Sequence, residues 1–155
     1  MDQPIKDPRR FPFPPAIPVV AVVLSWGIGK LWPLSMNWPE WTRWIGWLLF
    51  VTPPLLAIAA IHAFRRHQTV VNPRGQVTTI VASGPFRYTR NPMYLSLLTQ
   101  FVGGMLAFRL PWAAVLIVPV FLALHFGVVL PEERYLEAAF GEPYRLYRLR
   151  VRRWL

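Results

Sequence analysis

Two polar stretches of a mostly apolar chain contain the residues whose types and spacing could do chemistry. The first is SGPFRYTRNPMY, residues 83–94, in which Arg90 could bind an anionic group. The second is PEERYLEAAFGEPYRLY, residues 131–147, which opens on the adjacent carboxylates Glu132 and Glu133. Carboxylates can hold a cationic ligand, but they also stabilise the first turn of a helix. Arg90 could equally contact a lipid headgroup, so both interpretations stay open.

The usual signatures of soluble enzymes do not occur in this sequence. The chain has no cysteine, which excludes disulfides, thiolate metal sites and cysteine nucleophiles. Gly27 and Gly29 lie inside an apolar run, and therefore form no dinucleotide fingerprint. His62 and His67 are about 140° apart around a helix, and His125 lies in a different apolar run, which disfavours a zinc site. We expect no metal cofactor.

The composition predicts an all-α membrane protein. Of the 155 residues, 54% are hydrophobic and 15% are charged, whereas an ordinary soluble domain has about 25% charged residues. The net charge of +10 would indicate a nucleic-acid partner only if the basic residues were clustered on a soluble fold. They lie between apolar runs instead, so we expect no nucleic-acid partner.

Four apolar runs are candidates for membrane-spanning helices, each of which needs about 20 residues. The chain is predicted to be one integral-membrane domain with an arm over 1–14, spans over 15–34, 41–64, 92–108 and 111–130, a cytoplasmic loop over 65–91 and a tail over 131–155. The short connection between the third and fourth spans predicts an antiparallel hairpin. Pro53 and Pro54 must interrupt the second span. Gly103 and Gly104 predict close packing of the third span inside the bundle.

The placement of basic residues gives an orientation to these spans. Fourteen of the 17 fall on one side of a four-span topology: Lys6, Arg9, Arg10, Arg65, Arg66, Arg74, Arg87, Arg90, Arg134, Arg145, Arg148, Arg150, Arg152 and Arg153. Arg43 and Arg109 fall on the other side, and Lys30 lies within a span. The positive-inside rule therefore predicts a multi-pass protein of the cell membrane with both termini in the cytoplasm.

The tail is predicted to form two helices divided near Gly141. Pro131 is placed to start the first helix, with the two glutamates in its first turn. Apolar and aromatic residues then recur at spacings of 3, 4 and 3, at Tyr144, Tyr147, Val151 and Trp154. This pattern predicts an amphipathic interfacial helix with a basic face toward anionic headgroups. Its expected role is membrane anchoring without chemistry.

Together the two polar stretches resemble the integral-membrane methyltransferases, as a short, bacterial-type member. That superfamily includes isoprenylcysteine carboxyl methyltransferases and phospholipid N-methyltransferases. Its pattern G-x-[FY]-x-x-x-R-[HN]-P-x-Y occurs here before a span, and a hydrophobic hairpin follows. The pattern E-E-x-x-L-x-x-x-F-G-x-x-Y-x-x-Y then occurs after the hairpin. The resemblance covers about half of the chain, residues 76–151.

The resemblance implies S-adenosyl-L-methionine as the cofactor and assigns residues to it. The cofactor-binding positions map to Thr78, Thr79, Ile80, Val81, Phe86, Asn91, Pro92, Met93, Tyr94 and Glu132. Arg90 and Glu133 are the candidate catalytic residues: Arg90 would bind the cofactor or an acidic group of the substrate, and Glu133 or a water could accept a proton from an amine. Asn91 stands where many members have His. Val128 stands where the isoprenylcysteine enzymes have a carboxylate-binding Arg, which argues against a prenylcysteine substrate.

The predicted reaction is an in-line methyl transfer to a lipophilic or membrane-embedded small acceptor. The acceptor would enter laterally between helices, past the breaks at Pro53, Pro54 and Pro119. Its chemistry stays open: a carboxylate, an amine or another group, with phospholipid-amine N-methylation as one alternative. A non-catalytic membrane protein that retains the fold is a second alternative. The oligomeric state stays open too, although membrane lipids are expected partners.

Overall fold

The computed structural model describes residues 13–66 and 80–155. Residues 1–12 of the predicted arm and 67–79 of the predicted loop, the latter including Thr78 and Thr79, lie outside the described residues. Over the described ranges the chain forms helices, and its extended segments meet at one isolated bridge between Thr89 and Arg152. The all-helical class is therefore as predicted.

Seven α-helices follow one another in the described ranges: α1 (Ala16–Leu31), α2 (Glu40–Val51), α3 (Pro53–Arg66), α4 (Pro92–Ala107), α5 (Pro111–Leu124), α6 (Leu130–Phe140) and α7 (Glu142–Arg150). A 3₁₀ turn at Gly84–Arg87 precedes α4, and a π-helical turn at His125–Val129 joins α5 to α6. Helix α4 lies at the centre, where it packs against α2, α3 and α5, while α1 packs mainly on α5.

The break between α2 and α3 occurs where Pro53 and Pro54 predict it, whereas the break predicted at Pro119 is absent because α5 continues through that residue. Thr52 separates the two helices, and its hydroxyl donates to the Leu48 carbonyl at 2.7 Å. The Ser96 hydroxyl of α4 donates to the Pro53 carbonyl at 2.7 Å. A neighbouring helix thus supplies a polar partner at the interruption, which is the condition for irregular backbone at membrane depth.

Close packing of α2 on α4 depends on one glycine from each helix. A Cβ added at Gly46 would lie closer than 3.0 Å to the backbone of Leu106 and Ala107. A Cβ added at Gly103 would lie equally close to the backbone of Leu49 and Phe50. Small residues allow two helix backbones to approach in this way, so Gly103 packs as predicted.

The predicted tight hairpin is formed by α4 and α5. Only three residues, Phe108 to Leu110, connect the helices, and Arg109 adopts a positive φ of 53° in this turn. The Arg109 guanidinium pairs with the Glu40 carboxylate at the start of α2. The turn is therefore fastened to the end of the helix on which α4 packs.

The tail differs from its prediction in two ways. Pro131 does not start a new helix, because the chain continues from α5 through the π-helical turn into α6. Glu132 and Glu133 are therefore preceded by helix and do not occupy a free helix N-terminus. The last predicted helix also ends early, at Arg150, so that Val151 and Trp154 leave it in an extended segment.

Within residues 13–66 and 80–155, two helical rods are long and apolar enough to cross a membrane. They are Glu40–Arg66, with 27 residues, and Pro111–Phe140, with 30 residues. Helices α1 and α4 have 16 residues each, fewer than the roughly 20 that a straight crossing requires. The four-span topology and its orientation therefore remain predictions.

The close contact of α2 with α4 leads to a stability prediction. Gly103→Ala should lower the free energy of unfolding by about 1–3 kcal/mol, because the added methyl forces the two backbones apart. Gly27→Ala is the matched control: it lies in α1 with nothing within 4 Å of an added Cβ. Thermal unfolding in detergent would measure both variants. Equal melting temperatures for the two would contradict the packing argument.

Candidate functional site

A cavity of about 640 Å³, counting the space at its mouth, opens where α3, the 3₁₀ turn, α6 and α7 meet the beginning of α4. It is lined by Phe64, Ile80, Val81, Phe86, Arg90, Asn91, Pro92, Met93, Tyr94, Glu132, Glu133, Leu136, Tyr144 and Tyr147. The two polar stretches, separated along the chain by the α4–α5 hairpin, thus line one cavity.

Every predicted site residue that the structure describes lines this cavity. They are Ile80, Val81, Phe86, Arg90, Asn91, Pro92, Met93, Tyr94, Glu132 and Glu133. Four further lining residues, Phe64, Leu136, Tyr144 and Tyr147, were not predicted. Leu136 and both tyrosines occupy defined positions of the second sequence pattern, which was the signal that could have found them. Phe64 has no comparable signal.

The two tyrosines of α7 correct the prediction of a lipid-facing anchor. Tyr144 is buried, and the Tyr147 hydroxyl donates to the Phe86 carbonyl at 2.8 Å. The exposed apolar residues of α7 are Leu146 and Leu149 instead. The aromatic side of α7 therefore faces the cavity. Burial in the protein removes these rings from water as effectively as contact with lipid would.

Residues 151–154, here called the C-terminal strap, hold the turn before α4 in place. The Arg153 carbonyl accepts hydrogen bonds from the Thr89 hydroxyl at 3.1 Å and from the Asn91 side-chain amide at 3.0 Å. The Arg90 backbone N–H donates to the Arg152 carbonyl at 2.9 Å. Asn91 therefore acts here through its amide N–H groups, a contact that needs no titrating imidazole.

The strap also ends on the π-helical turn. The Trp154 ring lies 5.5 Å from the ring of Phe121 and 6.1 Å from that of His125. Its indole N–H points to Nδ1 of His125 at 3.4 Å. These contacts fix the strap between the turn before α4 and the long rod that carries the glutamates.

The Glu133 carboxylate lies between two guanidinium groups. Arg153 donates to both of its oxygens, from Nε at 3.1 and 3.0 Å and from Nη2 at 2.8 Å. Nη1 of Arg90 lies 3.2 Å from Oε1 of Glu133, with 9% of the Arg90 side chain and 7% of the Glu133 side chain exposed. The hydrogen bonds that Arg153 donates to Glu133 also raise the pKa of Arg153. This geometry favours a positioning role for Glu133 over the predicted role as proton acceptor.

Arg90 keeps part of its hydrogen-bonding capacity for a ligand. Among the described residues, Nε and Nη1 of Arg90 are buried without a hydrogen-bond partner, although Nη1 is in ionic contact with Glu133. Buried polar groups are rarely left in this state in folded proteins. Since Arg90 lines the cavity, an anionic group bound there would satisfy its guanidinium.

Glu132 faces the same cavity in a different environment. The Tyr94 hydroxyl donates to its Oε2 at 2.6 Å. Aromatic rings lie nearby on the cavity wall, where Phe64 and Phe86 pack edge to face at 4.9 Å. A carboxylate beside aromatic and apolar walls can hold a cationic ligand with a large apolar body.

The tyrosines of α7 are neutral donors at physiological pH. Burial, followed by the negative charge of Glu133, raises the pKa of Tyr144 to about 12, against a smaller opposing effect of Arg90. Burial and the neighbouring Tyr144 raise the pKa of Tyr147 as well. Both hydroxyls therefore stay protonated at physiological pH.

Comparison with known proteins was made for the whole chain. A family model described as phospholipid methyltransferase matches residues 41–143, about two thirds of the chain. An uncharacterized protein of Haemophilus influenzae is 42% identical over 69 residues, which cover 41% of this chain and 100% of that protein. No solved structure matches the chain. The matched range 41–143 includes Arg90 and both glutamates, and ends before the tyrosines of α7 and the C-terminal strap.

The ion pair between Arg153 and Glu133 predicts that replacing Arg153 lowers the free energy of unfolding more than replacing the adjacent Arg152. Arg153→Met should reduce the free energy of unfolding by about 1.5–3 kcal/mol, because it removes the charged hydrogen bonds to a buried carboxylate. Arg152→Met is the matched control, since Arg152 is exposed and contributes to the site only through its backbone carbonyl. Thermal unfolding in detergent measures both. A loss of the same size in both variants would contradict the assigned role of Arg153.

The raised pKa of Tyr144 predicts a loss of stability at alkaline pH. An unfolded tyrosine loses its proton near its ordinary pKa of 10.0, whereas Tyr144 in the fold keeps it to about pH 12. Its contribution is therefore complete below pH 10 and is lost as the pH rises toward 12. Tyr144→Phe should flatten the fall in melting temperature over this interval. Tyr88→Phe, at an exposed position, should leave the slope unchanged; equal slopes in both variants would refute the assignment.

Proposed function

Because the chain belongs to the phospholipid methyltransferase family, a group of membrane-type methyltransferases, we propose that it transfers a methyl group from S-adenosyl-L-methionine to a lipophilic acceptor. The observation that carries the proposal is the cavity itself. It brings Arg90, Glu132 and Tyr94 together from two stretches that the α4–α5 hairpin separates along the chain. Carboxylate, guanidinium and aromatic groups in one cavity match the charges and the aromatic base of this cofactor.

The residues of the cavity fit the cofactor group by group. Glu132, with Tyr94 bonded to it, provides the negative charge for an ammonium or sulfonium group. Arg90 provides N–H groups for a carboxylate. Phe64, Phe86 and the apolar side chains of Ile80, Val81 and Met93 provide walls for a heteroaromatic base. When bound, S-adenosyl-L-methionine supplies an activated methyl group with a neutral thioether as leaving group.

The protein's own contribution is binding, orientation and the exclusion of water. Glu133 and Arg153 position Arg90 by fixing the charge opposite its guanidinium. Tyr144 and Tyr147 close the cavity on the α7 side. Holding two reactants in line in a cavity shielded from water lowers the entropic part of the barrier to group transfer. The side chains of this site therefore serve mainly to hold the reactants.

A phospholipid amine is the acceptor that we favour. The matching family is described as phospholipid methyltransferase, and the position of the carboxylate-binding arginine in the isoprenylcysteine enzymes is occupied here by Val128, which is fully buried. An amine must lose its proton before it attacks the methyl group. Since both oxygens of Glu133 already accept hydrogen bonds from Arg153, we assign that proton to water at the mouth of the cavity. Incubation with methyl-labelled cofactor and total lipid, followed by identification of the labelled lipid, distinguishes amine from carboxylate acceptors.

We also propose the predicted four-span topology in the cell membrane, with both termini in the cytoplasm. The cavity mouth would then face the cytoplasm, where a water-soluble cofactor is available. Exposed arginines near the cavity, such as Arg87 and Arg148, would lie among the headgroups of that leaflet. Cysteine accessibility at each end of the rods measures this orientation, and labelling of the α4–α5 turn from the cytoplasm would overturn it.

Cofactor affinity provides the sharpest test of the site. Glu132→Gln should weaken the Kd for S-adenosyl-L-methionine by about ten- to a hundredfold, because it removes the negative charge at the cavity wall. Glu142→Gln is the control, since Glu142 is exposed on α7 and does not line the cavity. Calorimetric titration of the folded, detergent-solubilised protein measures both. No binding by the wild-type protein, in detergent or in lipid, would favour the non-catalytic alternative.

A further inference from the structure

A second concave surface runs along the bundle outside the cavity. It is an apolar groove of about 820 Å³, counting the open space at its side, between α1, α2 and α4. Its walls are formed by Pro15, Pro18, Val19, Val22, Val23, Phe50, Leu97, Gln100, Phe101, Gly104 and Phe108. The groove exists because α1 packs on α5 and leaves the neighbouring face of α4 partly uncovered.

The groove and the candidate site lie along one face of α4. Tyr94 lines the cavity, while Leu97, Phe101, Gly104 and Phe108 line the groove. These five residues are spaced by three, four, three and four positions, which places them on one side of an α-helix. Leu97 follows Tyr94 by one turn, so the groove begins about 5 Å from the level of the site.

The length of the groove matches the depth of one leaflet. From Leu97 to Phe108 the helix rises by about 16 Å. Half of a bilayer's hydrocarbon core is about 15 Å. A hydrocarbon chain that starts beside the site would therefore be covered by the groove along the whole of its leaflet.

The lining of the groove suits a hydrocarbon. Gln100 contributes the one polar side chain among its lining residues, and its amide donates to the Phe50 carbonyl at 3.3 Å. The amide N–H is thus used within the protein, which leaves apolar and aromatic atoms for the occupant. At Gly104, which has no side chain, the rings of Phe50 and Phe108 would lie 3.4 and 3.9 Å from an added Cβ, so aromatic rings form the wall of the groove at that level.

We propose that this groove binds one acyl chain of the lipid that accepts the methyl group. The proposal rests on the function proposed above and extends it from the headgroup to the tail of the acceptor. Because the groove begins one turn from Tyr94, a chain seated in it places the attached headgroup at the mouth of the cavity. The chain would contribute affinity by burial of methylene groups, and depth in the groove would select acceptors by chain length.

Binding can be measured without any methyl transfer. The full chain is reconstituted in vesicles of phosphatidylcholine and phosphatidylethanolamine, with a trace of phosphatidylethanolamine whose acyl chain carries a diazirine. After irradiation, labelled peptides are identified by mass spectrometry. We expect adducts on residues 97–108 and 19–23 to exceed those on the exposed α5 residues Val115 and Val118 by about tenfold. Uniform labelling of all exposed apolar residues would overturn the proposal.

Two matched valine variants test whether the groove itself is responsible. Val19 lines the groove and Val118 does not, yet both are 60% exposed. Val19→Trp should fill the groove and reduce labelling of residues 97–108 about tenfold, the equivalent of losing roughly two buried methylene groups. Val118→Trp should leave that labelling unchanged. An equal effect of the two variants would refute the groove as a chain-binding site.

Kinetics with two acceptors then test the proposed groove separately from the proposed reaction. Val19→Trp should raise KM about tenfold for a dioleoyl acceptor and leave it unchanged for a dihexanoyl acceptor with the same headgroup. The KM for S-adenosyl-L-methionine should not change. Groove-specific labelling without any methyl transfer would refute the proposed function while leaving the groove as a lipid site. Methyl transfer with equal KM changes for both acceptors would refute the groove alone.

Discussion

A buried carboxylate determines how the two halves of the site meet. Glu133 can be buried at low cost only if positive groups replace the water that it loses. The turn before α4 provides Arg90, and the C-terminal strap provides Arg153. Three segments that are distant along the chain must therefore converge on one side chain. The cavity is the space left between them, so its walls are fixed by this ion pair before any ligand binds.

The π-helical turn aligns the rod that carries this carboxylate. At His125–Val129 the backbone hydrogen bonds change from the α-helical to the π-helical spacing: the Leu130 N–H donates to the His125 carbonyl five residues back. Each residue added to a turn rotates the following helix by about 100°, which changes the face that α6 presents to the bundle. Pro131 lacks an N–H, and it is tolerated here because the ladder is already irregular. Such turns occur frequently at functional sites, and this one lies directly before the two glutamates.

Local sequence patterns correctly predict the features that depend on neighbouring residues. They fail for features that depend on contacts between segments distant along the chain. Pro53 and Pro54 interrupt the second predicted span, because proline acts on its own backbone. Gly103 packs closely on α2, because a residue without a side chain lets its nearest neighbours approach. Eight of the ten described site residues belong to two compact patterns, and the other two, Ile80 and Val81, lie just before the first pattern. The position of the strap around Arg153 depends on contacts between segments some 60 residues apart. Periodicity therefore assigned Tyr144 to lipid, although its burial in the cavity depends on those long-range contacts.

Helix α4 gives the molecule two environments on one face. Its first turn borders a cavity with balanced charges, and the following turns border an apolar groove. A ligand that bridges both would be oriented by the difference between them, because its polar end cannot enter the groove and the charged groups lie only in the cavity. Positioning of this kind needs few directional contacts to the acceptor. Under the function proposed above, a chain of 155 residues with seven acids would combine a charged cofactor with a membrane lipid: the polar side chains would hold the cofactor, and the groove along α4 would position the acceptor.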